Sequence, residues 1–173
     1  MTTVWYFAYG SNMQSTTLRG RRGIEFLHAA PARAAGWRLV FDKPPIVPIG
    51  EAFANIIPDP AAHVLGVAYE VSEEDLQHIE LTEGVLLGNY DRVVIAVQPL
   101  APQTAPVTAF SLTSDRRDPT LQPSTRYMEL VTSGAVEHGL PSEYIDALRA
   151  VPAIPPTPEA ALFRTLIEEM LRR

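Results

Sequence analysis

The chain has 173 residues, of which 46% are apolar and 20% are charged, and its formal net charge at pH 7 is −6. These values are typical of one globular domain, and the acidic balance argues against non-specific binding of nucleic acid, which needs a basic surface. The chain contains no cysteine, which excludes disulfides, zinc-thiolate centres and thiol nucleophiles. It shows neither a membrane-length apolar stretch nor a signal-peptide pattern, so we expect a cytoplasmic protein without a membrane partner.

The first two thirds of the chain predict about six short strands with turn signals between them. They span residues 4–9, 37–41, 52–57, 64–71, 92–97 and 107–112. The first is aromatic and β-branched and stops at a Gly-Ser-Asn turn, the third is expected to end at Pro58, and the fifth has apolar residues that suggest burial of both faces. Proline clusters at 43–50 and 151–158 predict loops. Short connections favour a mostly antiparallel sheet or small barrel.

Helices are predicted between and after these strands. The first begins at Ser72, a good N-cap with Asp75 in the capping-box position, and runs to about Glu83, before the stop signal of Gly84. The second spans about 124–137, and the third, capped by Ser142, spans 142–149.

A last helix is predicted to open at Thr157-Pro158-Glu159, with proline in its first turn. An apolar stripe on it favours packing over a partner-binding face. The stripe consists of Leu162, Phe163, Leu166, Ile167 and Met170. We therefore expect a single domain over 1–173, in which 151–173 forms a proline-rich linker and an amphipathic C-terminal helix.

Glu83 is the first candidate for chemistry, because its spacing places it on the same helix face as Leu76 and Ile79. A carboxylate on an apolar face is costly unless it is paired or functional, and a carboxylate removed from water suits a general base near neutrality. The same spacing allows a frayed last turn in which Glu83 points into water. Glu80 shares the face and competes for the role.

The second candidate is the loop that follows the first strand. Gly10 can adopt backbone angles that expose consecutive N–H groups, which would bind a substrate carboxylate or a developing oxyanion. Ser11 and Asn12 add short hydrogen-bonding side chains. The alternative is an ordinary strand-to-helix turn capped by Ser11 or Asn12. The basic patch at 19–22 predicts a solvated turn or a site that attracts an anionic substrate.

Other catalytic patterns are missing from the sequence. The four histidines show no metal-ligand spacing, and the chain has neither a nucleophile elbow nor a glycine-rich nucleotide-binding loop. We therefore expect no metal and no cofactor.

Five ordered segments between residues 4 and 150 resemble the γ-glutamylcyclotransferase family. They are YFAYGSNM at 6–13, AFANIIP at 52–58, GVAYEVSEEDL at 66–76, ELTEGV with GNY over 80–90, and GLPSEY at 139–144. The first segment alone is moderately specific, whereas all five in this order are highly specific. The sequence departs from the family at Glu80, where aspartate is frequent, at Phe110, where relatives carry tyrosine, and in its longer tail after Pro152.

The resemblance implies an α+β fold, a small mixed, mostly antiparallel β-barrel or sheet with flanking helices and a pocket at one mouth. It implies that Glu83 is the general acid and base. The residues implied to bind substrate are Tyr6, Phe7, Ala8, Tyr9, Gly10, Ser11, Asn12 and Tyr127.

The implied reaction is a cofactor-independent intramolecular aminolysis that converts a γ-glutamyl amide to 5-oxoproline and releases an amino acid or amine. The substrate could instead be a γ-glutamylamine or a γ-glutamyl-protected biosynthetic intermediate. The glutathione-specific branch is less similar. A third alternative is a non-catalytic module that binds an acidic metabolite, which an intact Glu83 disfavours. The sequence does not determine the oligomeric state, and a homodimer is one alternative.

Overall fold

The structure, a computed structural model, describes residues 2–171, and it describes the side chains of these residues apart from Arg21 and residues 167–171. Within this part of the chain, five strands close a barrel. They are β1 (Thr3–Ala8), β2 (Phe26–Lys43), β3 (Phe53–Ser72), β4 (Asp91–Pro99) and β5 (Val107–Thr113). Their order around the barrel is β1-β3-β2-β4-β5, and only the closing pair of β1 and β5 is parallel. The predicted mixed, mostly antiparallel barrel is confirmed.

The strands β2 and β3 are much longer than the sequence predicted. The predicted strand at 37–41 is one part of β2, and the predicted strands at 52–57 and 64–71 are the two ends of β3. Pro58 does not end the strand, because β3 pairs there with Trp37 of β2, whereas its pairing with β1 covers only residues 67–72. One edge of β3 is therefore unpaired at Pro58, and proline is tolerated at such an edge.

The helices match the predictions closely. They are α1 (Glu73–Glu83), α2 (Thr125–Glu137), α3 (Ser142–Arg149) and α4 (Pro158–Leu171). Ser72 and Ser124 cap α1 and α2, each accepting a hydrogen bond from a backbone N–H three residues on. The predicted cap of α3 was wrong, because Pro141 holds the N-cap position and Ser142 is already helical. Short helical turns at Ser11–Met13, Thr17–Arg21 and Val85–Leu87 complete the chain path.

The core has two layers that share β1. Phe7 and Tyr9 pack inside the barrel, while Tyr6 and Ala8 pack on the outside against the helices. Alternating side chains of one strand point to opposite faces, so β1 is buried on both sides. The two-sided burial predicted for 92–97 was wrong, because Val94 and Ala96 are exposed on the outer face of β4.

The apolar stripe predicted for the last helix does not pack against the rest of the protein over residues 162–166. Leu162, Phe163 and Leu166 are exposed, and Ile167 and Met170 lie outside the described side chains. The helix docks instead through its start, where Ala160 is buried and Thr157 donates its hydroxyl proton to the carbonyl of Ile49. Over residues 2–171, no helix is long and apolar enough to cross a membrane.

Candidate active site

A cavity of about 430 Å³ lies at one end of the barrel. The ends of β1, β2 and β5 and the starts of β3 and β4 meet there, because alternate strands of an antiparallel barrel run in opposite directions. The lining side chains are Tyr6, Tyr9, Gly10, Ser11, Asn12, Arg22, Lys43, Pro45, Phe53, Ala54, Thr82, Glu83, Asn89, Tyr90, Leu112, Tyr127 and Phe163. The cavity therefore joins both sequence candidates, the loop after β1 and the end of α1.

Glu83 is the last residue of α1 and reaches this cavity. Gly84 follows with φ of +76°, a left-handed conformation that ends the helix at low cost only for glycine. The Glu83 side chain is only 18% exposed, so it does not point into bulk water as a frayed turn would allow. The competing Glu80 does not line the cavity and pairs with Arg92 at 3.2 Å.

Arg22 and Asn12 hold one oxygen of the Glu83 carboxylate. Arg22 Nη2 donates to Glu83 Oε1 at 2.5 Å, and Asn12 Nδ2 donates to the same oxygen at 2.9 Å. Arg22 Nε also donates to Asn12 Oδ1 at 2.8 Å, which closes a three-membered network. Thr82 accepts from Arg22 Nη1 at 2.6 Å and anchors the guanidinium to the end of α1. These contacts therefore fix the position of Oε1.

The other oxygen of Glu83 has a different environment. Both hydrogen bonds to the carboxylate end on Oε1, and none of the described residues donates to Oε2. Since a carboxylate oxygen accepts more than one hydrogen bond, Oε2 is available to a proton donor in the cavity. One oxygen thus serves for positioning, while the other can exchange a proton.

The loop after β1 presents backbone donors, but the role expected for Gly10 needs correction. Gly10 has φ of −113°, so a left-handed conformation is not the reason for glycine. The reason is space, because a Cβ at Gly10 would lie 2.9 Å from the Tyr127 hydroxyl and 3.3 Å from Ala54 Cβ. Among the described residues, no backbone carbonyl accepts from the N–H groups of Gly10 and Ser11, and the Ser11 N–H faces the Tyr127 hydroxyl. Both groups thus point towards the cavity side of the loop that Tyr127 lines.

Buried tyrosines surround the loop and remain neutral. Burial raises the pKa of Tyr127 to about 12, and burial followed by the charge of Glu83 raises the pKa of Tyr6 well above its usual value. In the described hydrogen bonds both hydroxyls act as acceptors, from Asn12 Nδ2 at 3.0 Å and from the Ala54 N–H at 3.2 Å. Their own protons therefore remain available for an oxygen of the substrate.

Lys43 is a cation that the sequence placed only at the edge of a proline-rich loop. It is 1% exposed, and its ammonium donates to Asn89 Oδ1 and to the Pro44 carbonyl. Asn89 Nδ2 in turn donates to the Glu83 carbonyl at 2.8 Å. Burial first, and next the charge of Arg116, lower the pKa of Lys43 to about 8. The ammonium is thus mostly charged at pH 7.

Not all predicted substrate-binding residues line the cavity. Tyr6, Tyr9, Gly10, Ser11, Asn12 and Tyr127 do, together with Glu83. Phe7 and Ala8 do not, because the alternation of β1 turns their side chains into the two cores. Phe110 does not line the cavity either, and its ring centre lies 5.2 Å from the guanidinium carbon of Arg92.

Three residues of the site were missed or left undecided by the sequence. For Arg22, the sequence signal was its place in the basic patch at 19–22, which did not decide between a solvated turn and a site for an anionic substrate. The sequence did not indicate Lys43 or Asn89 as residues of the site. In the part of the chain that the structure describes, no three His, Asp or Glu side chains are grouped as metal ligands would be. The arrangement suits proton transfer and the binding of an anionic or amide-containing molecule.

The chain is similar to known proteins in sequence and in fold. The profile of the AIG2-like family matches residues 63–148. A γ-glutamyl cyclotransferase of Aspergillus oryzae is 31% identical over 165 residues, which cover 84% of this chain and 60% of that protein. The γ-glutamylcyclotransferase of Homo sapiens is 29% identical over 155 residues, which cover 84% of this chain and 77% of the human protein. The chain thus spans less than two thirds of the fungal relative.

A solved structure described as a γ-glutamyl cyclotransferase has the same architecture. It superposes with a TM-score of 0.77 at 26% identity and covers 88% of this chain and 89% of its own. The similarity to these proteins covers 84% of the chain in sequence and 88% in fold. The region matched by the family profile includes α1 and Glu83. In its sequence and in its fold, the chain is therefore similar to γ-glutamylcyclotransferases.

Proposed function

We propose that the protein is a γ-glutamylcyclotransferase, which converts a γ-glutamyl amide to 5-oxoproline and releases an amino acid or an amine. The observation that carries this proposal is the state of the Glu83 carboxylate. Its Oε1 is held by Arg22 and Asn12, while no described residue donates to its Oε2. A base fixed in this way inside a cavity with backbone donors suits an intramolecular proton-transfer reaction.

The α-amine of the substrate is the nucleophile in this mechanism. At neutral pH it is largely an ammonium, which cannot attack, so Glu83 Oε2 removes a proton from it. The free amine then attacks the γ-carbonyl carbon of the same molecule and closes a five-membered ring. Holding amine and carbonyl in contact supplies much of the rate, up to roughly 7–11 kcal/mol for well-aligned intramolecular reactions.

The site also has groups for the negative charges of the substrate. The N–H groups of Gly10 and Ser11 and the hydroxyls of Tyr6 and Tyr127 are donors for the oxyanion that forms on the γ-carbonyl. Lys43, mostly charged at pH 7, attracts the α-carboxylate of the γ-glutamyl group. As the C–N bond breaks, Glu83 returns the protons lost by the α-nitrogen to the leaving nitrogen and is regenerated. The mechanism needs no metal or cofactor.

A non-catalytic module that binds an acidic metabolite is the alternative from another class. The geometry of Glu83 disfavours it, because a carboxylate with an available oxygen repels an acidic ligand unless it takes a proton from that ligand. The proposal also includes a cytoplasmic location and the absence of nucleic-acid and membrane partners. The division of the chain at residue 151 likewise remains a prediction.

The test replaces Glu83 by glutamine and measures release of 5-oxoproline from a panel of γ-glutamyl dipeptides and γ-glutamylamines. Glutamine keeps the oxygen that accepts from Arg22 and Asn12 but cannot take a proton, so kcat should fall roughly 100-fold or more while the fold is retained. Glu80→Gln is the matched control, since Glu80 lies on the same helix outside the cavity. Near-normal turnover by Glu83→Gln, or no release by the unmodified protein from any compound, would contradict the proposal.

A further inference from the structure

A second cavity, of about 420 Å³, adjoins the one that holds Glu83. The two cavities are two compartments of one site, because seven residues line both of them and form their shared wall: Pro45, Phe53, Thr82, Glu83, Asn89, Tyr127 and Phe163. The second compartment contains neither the Gly10-Ser11 donors nor Lys43. The shared wall therefore separates a polar compartment from one of different chemistry.

The second compartment is lined mainly by apolar side chains from four parts of the chain. The loop after β2 supplies Ile46, Val47 and Ile49, the last turn of α1 and the short turn after it supply Leu81 and Leu87, and α2 and α4 supply Leu130, Ala160 and Phe163. Three charged residues, Glu51, Arg126 and Arg164, also line the compartment. Several of the apolar side chains, including Ile46, Val47, Leu81 and Leu87, are exposed to solvent. Apolar side chains exposed together around a concave surface are typical of a binding site for an apolar group.

The chemistry of the proposed reaction identifies what this compartment holds. Glu83 must reach the α-nitrogen and the leaving nitrogen, which lie on opposite sides of the γ-carbonyl carbon. Since Glu83 lies on the shared wall, the carbonyl carbon lies near that wall, with the polar γ-glutamyl part on the side of Gly10 and Lys43. The leaving group then extends into the apolar compartment.

We propose that the leaving group of the physiological substrate carries a large apolar side chain, aliphatic or aromatic, that binds between the loop after β2, the end of α1 and α4. This inference rests on the proposed cyclotransferase function and names the class of its substrate. An apolar amino acid and an apolar amine share the chemistry that this compartment recognises. A charged or very small leaving group leaves the apolar walls exposed to water and gains less from binding.

The first arm of the test compares kcat/KM for γ-glutamyl-phenylalanine, γ-glutamyl-leucine, γ-glutamyl-glycine and γ-glutamyl-aspartate. We expect the phenylalanine and leucine compounds to exceed the glycine and aspartate compounds by about tenfold or more, since even one methylene in an apolar pocket is worth roughly tenfold. γ-Glutamyl-phenethylamine, which keeps the ring and lacks the carboxylate, shows whether the amino acid or the amine is the better source of that apolar group.

The second arm uses two neighbouring leucines as a matched pair. Leu87 lines the compartment and is 75% exposed, whereas Leu86 is 83% exposed and does not line it. Because both are exposed, replacement by aspartate should leave the fold intact. Leu87→Asp should lower the ratio of kcat/KM for phenylalanine over glycine by about fivefold or more, and Leu86→Asp should leave that ratio unchanged.

The outcomes separate this inference from the proposed function. Release of 5-oxoproline with no preference for apolar leaving groups, or equal effects of Leu86→Asp and Leu87→Asp, would overturn the inference and leave the function standing. Failure to release 5-oxoproline from every compound would overturn the proposed function and this inference with it.

Discussion

At the scale of single residues, the ion pair of Arg22 and Glu83 carries a desolvation cost, so its presence requires an explanation other than stability. Both side chains are largely buried, and the desolvation of a buried ion pair offsets much of its attraction. The pair is therefore weak evidence for stability. Its three directed bonds, to Glu83, Asn12 and Thr82, point instead to a positioning role that depends on the forked shape of arginine.

Arg22→Lys tests this role, because lysine keeps the charge and loses the fork. We expect kcat to fall roughly 10- to 100-fold with a smaller change in KM, as the loss of one charged hydrogen bond of about 1.5–3 kcal/mol implies. The kcat of Arg22→Gln should fall further than that of Arg22→Lys, because lysine keeps the positive charge that glutamine lacks. Steady-state kinetics and circular dichroism are the measurements. Equal activity of all three proteins, or loss of activity that tracks loss of helix signal, would exclude a positioning role.

At the scale of elements, α2 determines where the loop after β1 lies. The helix carries Tyr127 at the cavity and Gly134 two turns further on, where the loop packs directly on the helix backbone. A Cβ at Gly134 would lie 2.6 Å from the Gln14 nitrogen and 2.7 Å from the Met13 carbonyl carbon. Gln14 also donates to Ser133 at 2.9 Å. Close approach at Gly134 thus places the loop donors near Glu83.

Gly134→Ala should therefore destabilise the protein, although alanine is the better helix former by about 1 kcal/mol. The atoms in conflict belong to backbone, which cannot rotate away, and overpacking of this kind typically costs about 1–3 kcal/mol. Urea denaturation measures the change in the free energy of unfolding. Glu129→Ala, at an exposed position of the same helix, is the control and should stay within about 0.5 kcal/mol. A stabilised Gly134→Ala variant would show that the loop moves without cost.

At the scale of the whole molecule, the barrel and the helices meet at a half-buried histidine. His138 ends α2, and its Nε2 lies 2.8 Å from the Tyr69 hydroxyl of β3, which donates to the Met13 carbonyl at 2.6 Å. Ser15 and Glu137 are the other groups that face the ring, at 3.4 Å and 3.7 Å. Burial lowers the pKa of His138 below its ordinary value of 6.5, and the Glu137 carboxylate opposes the shift only in part.

Stability should depend on pH through His138 in a defined direction. Because the folded protein binds the proton less tightly, the unfolded chain takes up a proton first as the pH falls below about 6.5. This contribution to stability is complete above pH 6.5 and is lost as the pH falls towards the lower pKa of the folded state. Urea midpoints between pH 7.5 and 5.5 should therefore decrease less for His138→Gln than for the unmodified protein. Parallel pH profiles would contradict the prediction.

Much of the fold could be predicted because its signals are local. The start of α1 is encoded by Ser72 and its end by Gly84, and β1 by a short aromatic run followed by a turn. Helix periodicity placed Glu83 on the face of Leu76 and Ile79 but also allowed a frayed last turn and the competing Glu80, and the resemblance to a known family favoured Glu83. The lengths of β2 and β3 could not be predicted, because whether proline ends a strand depends on which edge is unpaired.

The sequence by itself predicted a mostly antiparallel sheet or small barrel, the order of the four helices, and the two segments that carry the loop donors and the carboxylate. Only the tertiary structure decided which partners meet them. Arg22 and Glu83 are 61 positions apart, and Lys43 and Asn89 are 46 apart. It also decided that Gly10 is needed for the space beside Tyr127. The physical reason is that propensity and periodicity act over one or two turns, whereas a site is formed by side chains that only the closure of the barrel brings together.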